Sequence, residues 1–117
     1  MKKTQAAKRR EKLKKQADRS MNITIMIPAL NPDQKLTNYV RQLSTQGFRE
    51  IVVINDGSSA QYDRFFDEIA SIEKCTVLRH EVNKGKGRAL KTGMEYVLKN
   101  HPGCVGIVTG DADGQHR

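Results

Sequence analysis

The sequence predicts an α/β protein built on a doubly wound parallel sheet, and three observations predict it. Short runs of β-branched, apolar residues alternate with segments whose apolar residues recur at helical spacing. The runs are apolar throughout rather than at every second position, as strands covered on both faces are. Polar, glycine-containing loops follow the carboxyl ends of these runs, which is where open parallel sheets place their ligands. The element order reads βαβαβαβ, and right-handed crossovers make 3-2-1-4 the expected strand order.

Taken in order, Ile23 to Ile27 forms the first strand, stopped by Pro28. After the turn Ala29-Leu30-Asn31-Pro32, Asp33 is placed to cap a helix. Leu36, Val40 and Leu43 recur along it until Gly47 ends it. Ile51 to Ile54 is the second strand. Asn55 to Ser59 turns the chain and supplies a serine cap for a helix carrying Phe65, Phe66, Ile69 and Ile72. Thr76 to Leu78 makes a short third strand, and Glu81 to Gly87 a loop. Arg88 to Asn100 is a third helix with Leu90, Met94, Val97 and Leu98 on its buried side. His101-Pro102-Gly103 breaks that helix before a fourth strand, Val105 to Thr109.

At 117 residues the chain has room for one domain, and with 5% aromatics and no Trp its core must be aliphatic. The net charge of +8 is concentrated in residues 1–20, which hold nine Lys/Arg against Glu11 and Asp18. The remainder is nearly neutral, so a nucleic-acid-binding face on the folded part is not indicated. Residues 1–21 are expected to be a disordered basic extension and 22–117 the domain. The other reading of the extension is a weak contact with RNA or an anionic membrane surface, on a module without enzymatic activity. Cys75 and Cys104 stand singly, without metal-ligand spacing, and are expected to be buried free thiols. No run has the length of a membrane span and no apolar stretch follows the basic start. A cytoplasmic location, peripheral at the membrane if the extension binds lipid, is the resulting expectation.

Four stretches carry chemistry. Asp111 and Asp113 stand at i and i+2 with Gln115 next in phase, which in extended chain turns three oxygen donors to one side. A hard divalent cation, Mg2+ or Mn2+, suits such donors, although Asp-Ala-Asp-Gly is equally good turn chemistry. In Asn83-Lys84-Gly85-Lys86-Gly87-Arg88, three cations gather at a helix amino end against the helix dipole. A nucleotide diphosphate, held by backbone N–H groups and by Lys86 or Arg88, would resolve that conflict; a solvated flexible loop is the alternative. Asp56 can accept a hydrogen bond from a base ring N–H or can cap its turn beside Gly57. His80 and His116 read as structural or surface residues, His116 with more functional interest beside the carboxylates. Gly85-Lys86-Gly87 is not a dinucleotide fingerprint, because Leu90 stands where the third glycine belongs. No Walker A loop occurs, and the Asp-Ala-Asp-Gly stretch lacks the ligand ladder of an EF-hand.

Together, Ile-Pro-Ala-Leu-Asn-Pro at 27–32, Val-Ile-Asn-Asp-Gly-Ser-Ser at 53–59, Asn-Lys-Gly-Lys-Gly-Arg-Ala-Leu-Lys-Thr-Gly at 83–93 and Asp-Ala-Asp-Gly-Gln-His at 111–116 resemble glycosyltransferase family 2. The resemblance is greatest to its polyprenyl-phosphate sugar transferase branch. It implies the nucleotide-binding half of a GT-A fold, a Rossmann-like parallel sheet. Pro28, Ala29 and Asn31 would border the nucleoside, Asp56 would read the base, and Lys86 and Arg88 would lie by the nucleotide. Asp111 and Asp113 would be the Asp-x-Asp motif that holds ribose and the metal-diphosphate, with Gln115 a further metal contact. The implied reaction is inverting transfer from a UDP- or GDP-sugar, with a polyprenyl-phosphate or glycan acceptor. Its general base is expected beyond Arg117, so the 117-residue chain alone is expected to be inactive and to self-associate through an uncovered sheet edge. Asn55 departs from the family pattern, where Asp is frequent, and Asp33 stands near a frequent Glu.

Overall fold

The computed structural model describes residues 22–104 and 106–110; residues 1–21 and Asp111, Asp113 and Gln115 lie outside the described residues. The elements are β1 (Ile23–Ala29), α1 (Gln34–Leu43), β2 (Glu50–Asp56), a 3-10 turn (Ala60–Tyr62), α2 (Asp63–Ala70), β3 (Cys75–His80), α3 (Lys86–Asn100) and β4 (Gly106–Thr109). The strands form one sheet in the order β3-β2-β1-β4, every pair parallel, as the sequence predicts.

Strand alternation sorts the core onto two faces. Ile25, Ile27, Ile51 and Val53 meet Leu36, Val40 and Leu43 of α1 and Phe66 and Ile69 of α2. The intervening Met26, Val52 and Ile54 meet Ala89 and Val97 of α3. Asp33 caps α1 as expected, its Oδ1 accepting the Lys35 N–H at 2.9 Å. The expected serine cap of the second helix does not form. Ser59 instead precedes the 3-10 turn without a side-chain capping bond, and α2 begins at Asp63.

Three strands are longer than their apolar runs. β1 continues through Pro28, the residue expected to end it, to Ala29. The Ile23 carbonyl accepts from Arg49 on the β2 side, and the Met26 carbonyl accepts from Gly110 on the β4 side. Pro28 is in phase with Met26, so its absent N–H falls on the β4 side, past the Met26–Thr109 pair that ends the described β1–β4 register. β2 takes in Glu50, Asn55 and Asp56, all buried, and β3 takes in buried His80.

The buried side of α3 also differs from expectation. Ala89, Gly93 and Val97 face the sheet, whereas Met94 and Leu98 are 41% and 63% exposed. A Cβ at Gly93 would come within 2.9 Å of Met26 Sδ and 3.0 Å of Ile54 Cδ1. The helix thus presses Ala89, Gly93 and Val97 onto the strands, with Leu90 and Tyr96 packed at the margin of the core and Met94 and Leu98 turned outward. Cys75 and Cys104 are free but only partly buried. β4 is an outer strand of the described sheet, with Val108 42% exposed.

β2 and α3 run in opposite directions and are tied at both ends by carboxylates in phase on the α3 face. At the amino end, Glu50 accepts hydrogen bonds from Thr76, from the Tyr96 hydroxyl at 2.9 Å and from His101 Nε2–H at 2.6 Å. Arg49 Nε–H donates to the other ring nitrogen of His101 at 3.0 Å, which completes a satisfied polar network. Burial and the Glu50 carboxylate push the nearby Cys75 thiol up to about 11, so it stays protonated and unreactive. At the carboxyl end the tie is Asp56.

Candidate functional site

Three loops meet at the carboxyl edge of the sheet, beside the point where strand order reverses between β1 and β4. They enclose an open cleft of about 250 Å³ lined by Pro28, Ala29, Leu30, Asp56, Asn83, Gly85, Lys86 and Gly110. Four residues expected to contact a nucleotide, Pro28, Ala29, Asp56 and Lys86, are therefore brought together. Asn31 stands beside the cleft as a stitch between loops. Its N–H donates to Ser58 Oγ at 2.8 Å and its side-chain oxygen accepts from the Ser59 N–H at 3.1 Å. Arg88 is exposed in the first turn of α3 and does not line the cleft. Asp111, Asp113 and Gln115 lie outside the described residues, and so does His116.

Asp56 is the most heavily bonded side chain of the cleft. It is in phase with Val52 and Ile54, which sends its carboxylate to the α3 face, and it is paired in register with His80 of β3. Its Oδ1 accepts from His80 Nδ1–H at 2.8 Å and from the Lys84 N–H at 2.9 Å; Oδ2 accepts from the Gly85 N–H at 2.9 Å. Burial raises the Asp56 pKa, but the bonds from His80, Lys84 and Gly85 outweigh it, and the carboxyl is held below its ordinary value. The backbone therefore brings a fixed negative charge to the amino end of α3. Part of the anion that the clustered cations call for is supplied from within the fold.

Two glycines make this arrangement feasible. Gly57 has φ of +74°, and a Cβ there would lie 2.2 Å from the Asn83 backbone nitrogen, so only glycine lets the β2 and β3 loops touch. Gly85, with φ of +95°, caps α3 while giving its N–H to Asp56 and to the Asn83 side chain. Asn55, the departure from the family pattern, turns its buried side-chain oxygen to the Ser58 N–H at 3.0 Å and shapes the turn. His80, expected to be a structural or surface residue, proves structural, and Thr92 carries no signal in the sequence. His80 is buried, and its Nε2 lies 2.8 Å from Thr92 Oγ1 on α3.

Among the described residues no group of three or more His, Cys, Asp or Glu could hold a metal ion. The candidate metal donors remain Asp111, Asp113 and Gln115, whose oxygens suit Mg2+ or Mn2+. Gly110, at the cleft wall, places the backbone leading into them at the same sheet edge. Among the described residues no helix is long and apolar enough to cross a membrane.

The fold and cleft define an open, doubly wound α/β domain with a ligand-sized opening at its switch point. Comparison with known proteins makes the assignment narrower. The sequence profile described as Glycosyl transferase family 2 matches residues 24–117, and the chain belongs to that family. Uncharacterized protein MJ1222 of Methanocaldococcus jannaschii is 38% identical over 94 residues, covering 80% of this chain and 36% of that protein. The UDP-N-acetylglucosamine--dolichyl-phosphate N-acetylglucosaminyltransferase of Methanococcus voltae is 30% identical over 107 residues, covering 80% and 42%. A crystal structure of S. aureus TarS, residues 1–349, shares the fold with a TM-score of 0.56 at 21% identity, over 78% of this chain and 27% of that one. The chain thus spans 36% and 42% of the two relatives' lengths.

Proposed function

We propose that residues 22–117 form the donor-nucleotide half of a sugar transferase and bind a nucleoside diphosphate sugar in the cleft at the carboxyl edge. The observation that carries this reading is the convergence of Pro28, Ala29, Asp56 and Lys86 on one opening, beside the amino end of α3. The first-turn N–H groups of a helix have no intrahelical partners, which with Lys86 suits a diphosphate. The apolar wall of Pro28, Ala29 and Leu30 suits the flat face of a base, and Asp56 suits its ring N–H. Asp111, Asp113 and Gln115 would hold Mg2+ or Mn2+, which when bound offsets charge on the leaving diphosphate. The name of the Methanococcus voltae relative makes UDP-N-acetylglucosamine the first donor to try and a polyprenyl phosphate the first acceptor class. Inverting transfer, its general base and the acceptor site belong to the longer proteins of the family as proposals for this one.

Calorimetric titration with UDP-N-acetylglucosamine and GDP-mannose, with and without Mn2+, tests the reading. Binding is expected to strengthen at least about tenfold with metal, equivalent to 1.4 kcal/mol, and Asp113→Ala is expected to abolish that gain. Equal weak binding under all conditions would refute it.

A further inference from the structure

The line Asp56–His80–Thr92 joins the ends of β2 and β3 to α3, and the donor reading uses only Asp56 of it. Both contacts within it are made by side chains packed away from solvent or nearly so: Asp56 and His80 are buried, and Thr92 is half-buried. A carboxylate can only accept, so His80 Nδ1 carries a proton toward Asp56 Oδ1 at 2.8 Å. In the neutral ring Nε2 is then the acceptor for the Thr92 hydroxyl, also at 2.8 Å. The imidazole is fixed at both nitrogens and cannot turn.

Acceptor accounting at Asp56 gives this its consequence. Each carboxylate oxygen offers two lone pairs. Those of Oδ1 are both taken, by His80 and by the Lys84 N–H, whereas Oδ2 has only the Gly85 N–H. One acceptor position remains on a side chain that lines the cleft. We propose that His80, oriented by Thr92, is a positioning residue for nucleobase recognition: it fills Oδ1 of Asp56 and so leaves Oδ2 as the acceptor for a ring N–H. The inference rests on the donor-cleft reading. It selects bases by chemistry. Uracil and guanine present a ring N–H at the pairing edge, whereas cytosine and adenine present a ring nitrogen lone pair, which a carboxylate repels. With an apolar residue at 80, Asp56 keeps only the Lys84 and Gly85 backbone donors, Oδ1 regains a vacant acceptor position, and the direction offered to a ring N–H is no longer unique.

The test uses the full 117-residue chain and calorimetric affinities for UDP, GDP, CDP and ADP at one saturating Mg2+ concentration. The unsubstituted protein is expected to favour UDP or GDP over CDP and ADP by at least about tenfold. His80→Leu is expected to reduce that preference to within about threefold while leaving CDP affinity unchanged, because the diphosphate contacts are elsewhere. His80→Asn, whose amide can donate to Oδ1, should restore most of the preference, and Thr92→Val should weaken it to an intermediate degree. Imidazole nitrogen NMR should show the Nδ1–H tautomer; if His80→Leu fails to fold, Thr92→Val and this tautomer decide the matter. Retained discrimination in folded His80→Leu or Thr92→Val, an Nε2–H tautomer, or equal binding of all four nucleotides by the unsubstituted chain would overturn this inference alone. Failure of the unsubstituted chain to bind any of them would overturn the donor reading and this one with it.

Discussion

At the scale of single residues, Asp56 shows how a polar side chain can end a buried strand. Its carboxylate takes three hydrogen bonds, and charge-assisted bonds of this kind hold the ionised form. A carboxyl whose folded pKa is depressed contributes stability that is complete above its unfolded value and lost as pH falls through the folded one. The contribution of Asp56 is therefore fully present above its ordinary value of 3.8 and disappears below it. Asp56→Asn places an amide donor against N–H donors and is expected to cost about 1–3 kcal/mol at neutral pH. Urea unfolding of both proteins across the acid range checks this: the stability gap should close as pH falls below 3.8. A gap independent of pH would refute it. None of these partners was legible in the sequence. Asn55-Asp56-Gly57 reads as turn chemistry, and the donors that let Asp56 stay in a buried strand lie 24 to 29 residues away.

At the scale of elements, the sheet was legible because Ile51–Ile54 is an unbroken apolar run and Ile23–Ile27 is interrupted only by β-branched Thr24, and such runs admit few positions other than the centre of a parallel sheet. α3 was legible as a helix but not in its orientation. Counting large apolar residues selects Leu90, Met94, Val97 and Leu98, whereas close approach to the sheet selects Ala89 and Gly93 together with Val97. Packing distance decided the rotation of the helix, and hydrophobicity alone does not report it. Val97→Ala removes two buried methyl groups and is expected to destabilise by about 2 kcal/mol. Leu98→Gln, on the exposed side, is expected to stay within about 0.5 kcal/mol of the unsubstituted protein. Chemical denaturation of the two variants distinguishes this orientation from the one hydrophobicity suggests, which predicts comparable losses. The polar residues Glu50 and His80 were likewise missed as strand residues, because the groups that satisfy them come from α3 and from neighbouring strands.

At the scale of the whole molecule, three of the four loops read as functional do converge, and the strand order placed them together before any side-chain contact was known. A ligand that binds only the folded chain stabilises it by mass action, about 2.7 kcal/mol at a hundred times its Kd. For a domain of this size each kcal/mol is worth about 4–8 °C. UDP or GDP with Mn2+ at that excess is therefore expected to raise Tm by about 10–20 °C, and Mn2+ alone by much less. Thermal unfolding with nucleotide, metal and both is the measurement. An unchanged Tm at saturating nucleotide and metal would count against the cleft as a donor site.

The strand order 3-2-1-4 also sets the sequence in which a nascent chain can assemble. β1 is made first yet ends between β2 and β4, so it receives its partners on opposite sides at different times. Chains fold from the amino end as they are synthesised. β1, β2 and β3 therefore precede β4 in synthesis, and the bonds that join Asp56 to His80, Lys84 and Gly85 need no residue of β4. β4 follows the other described strands in the chain and joins the sheet by pairing along Ile23 to Met26 of β1.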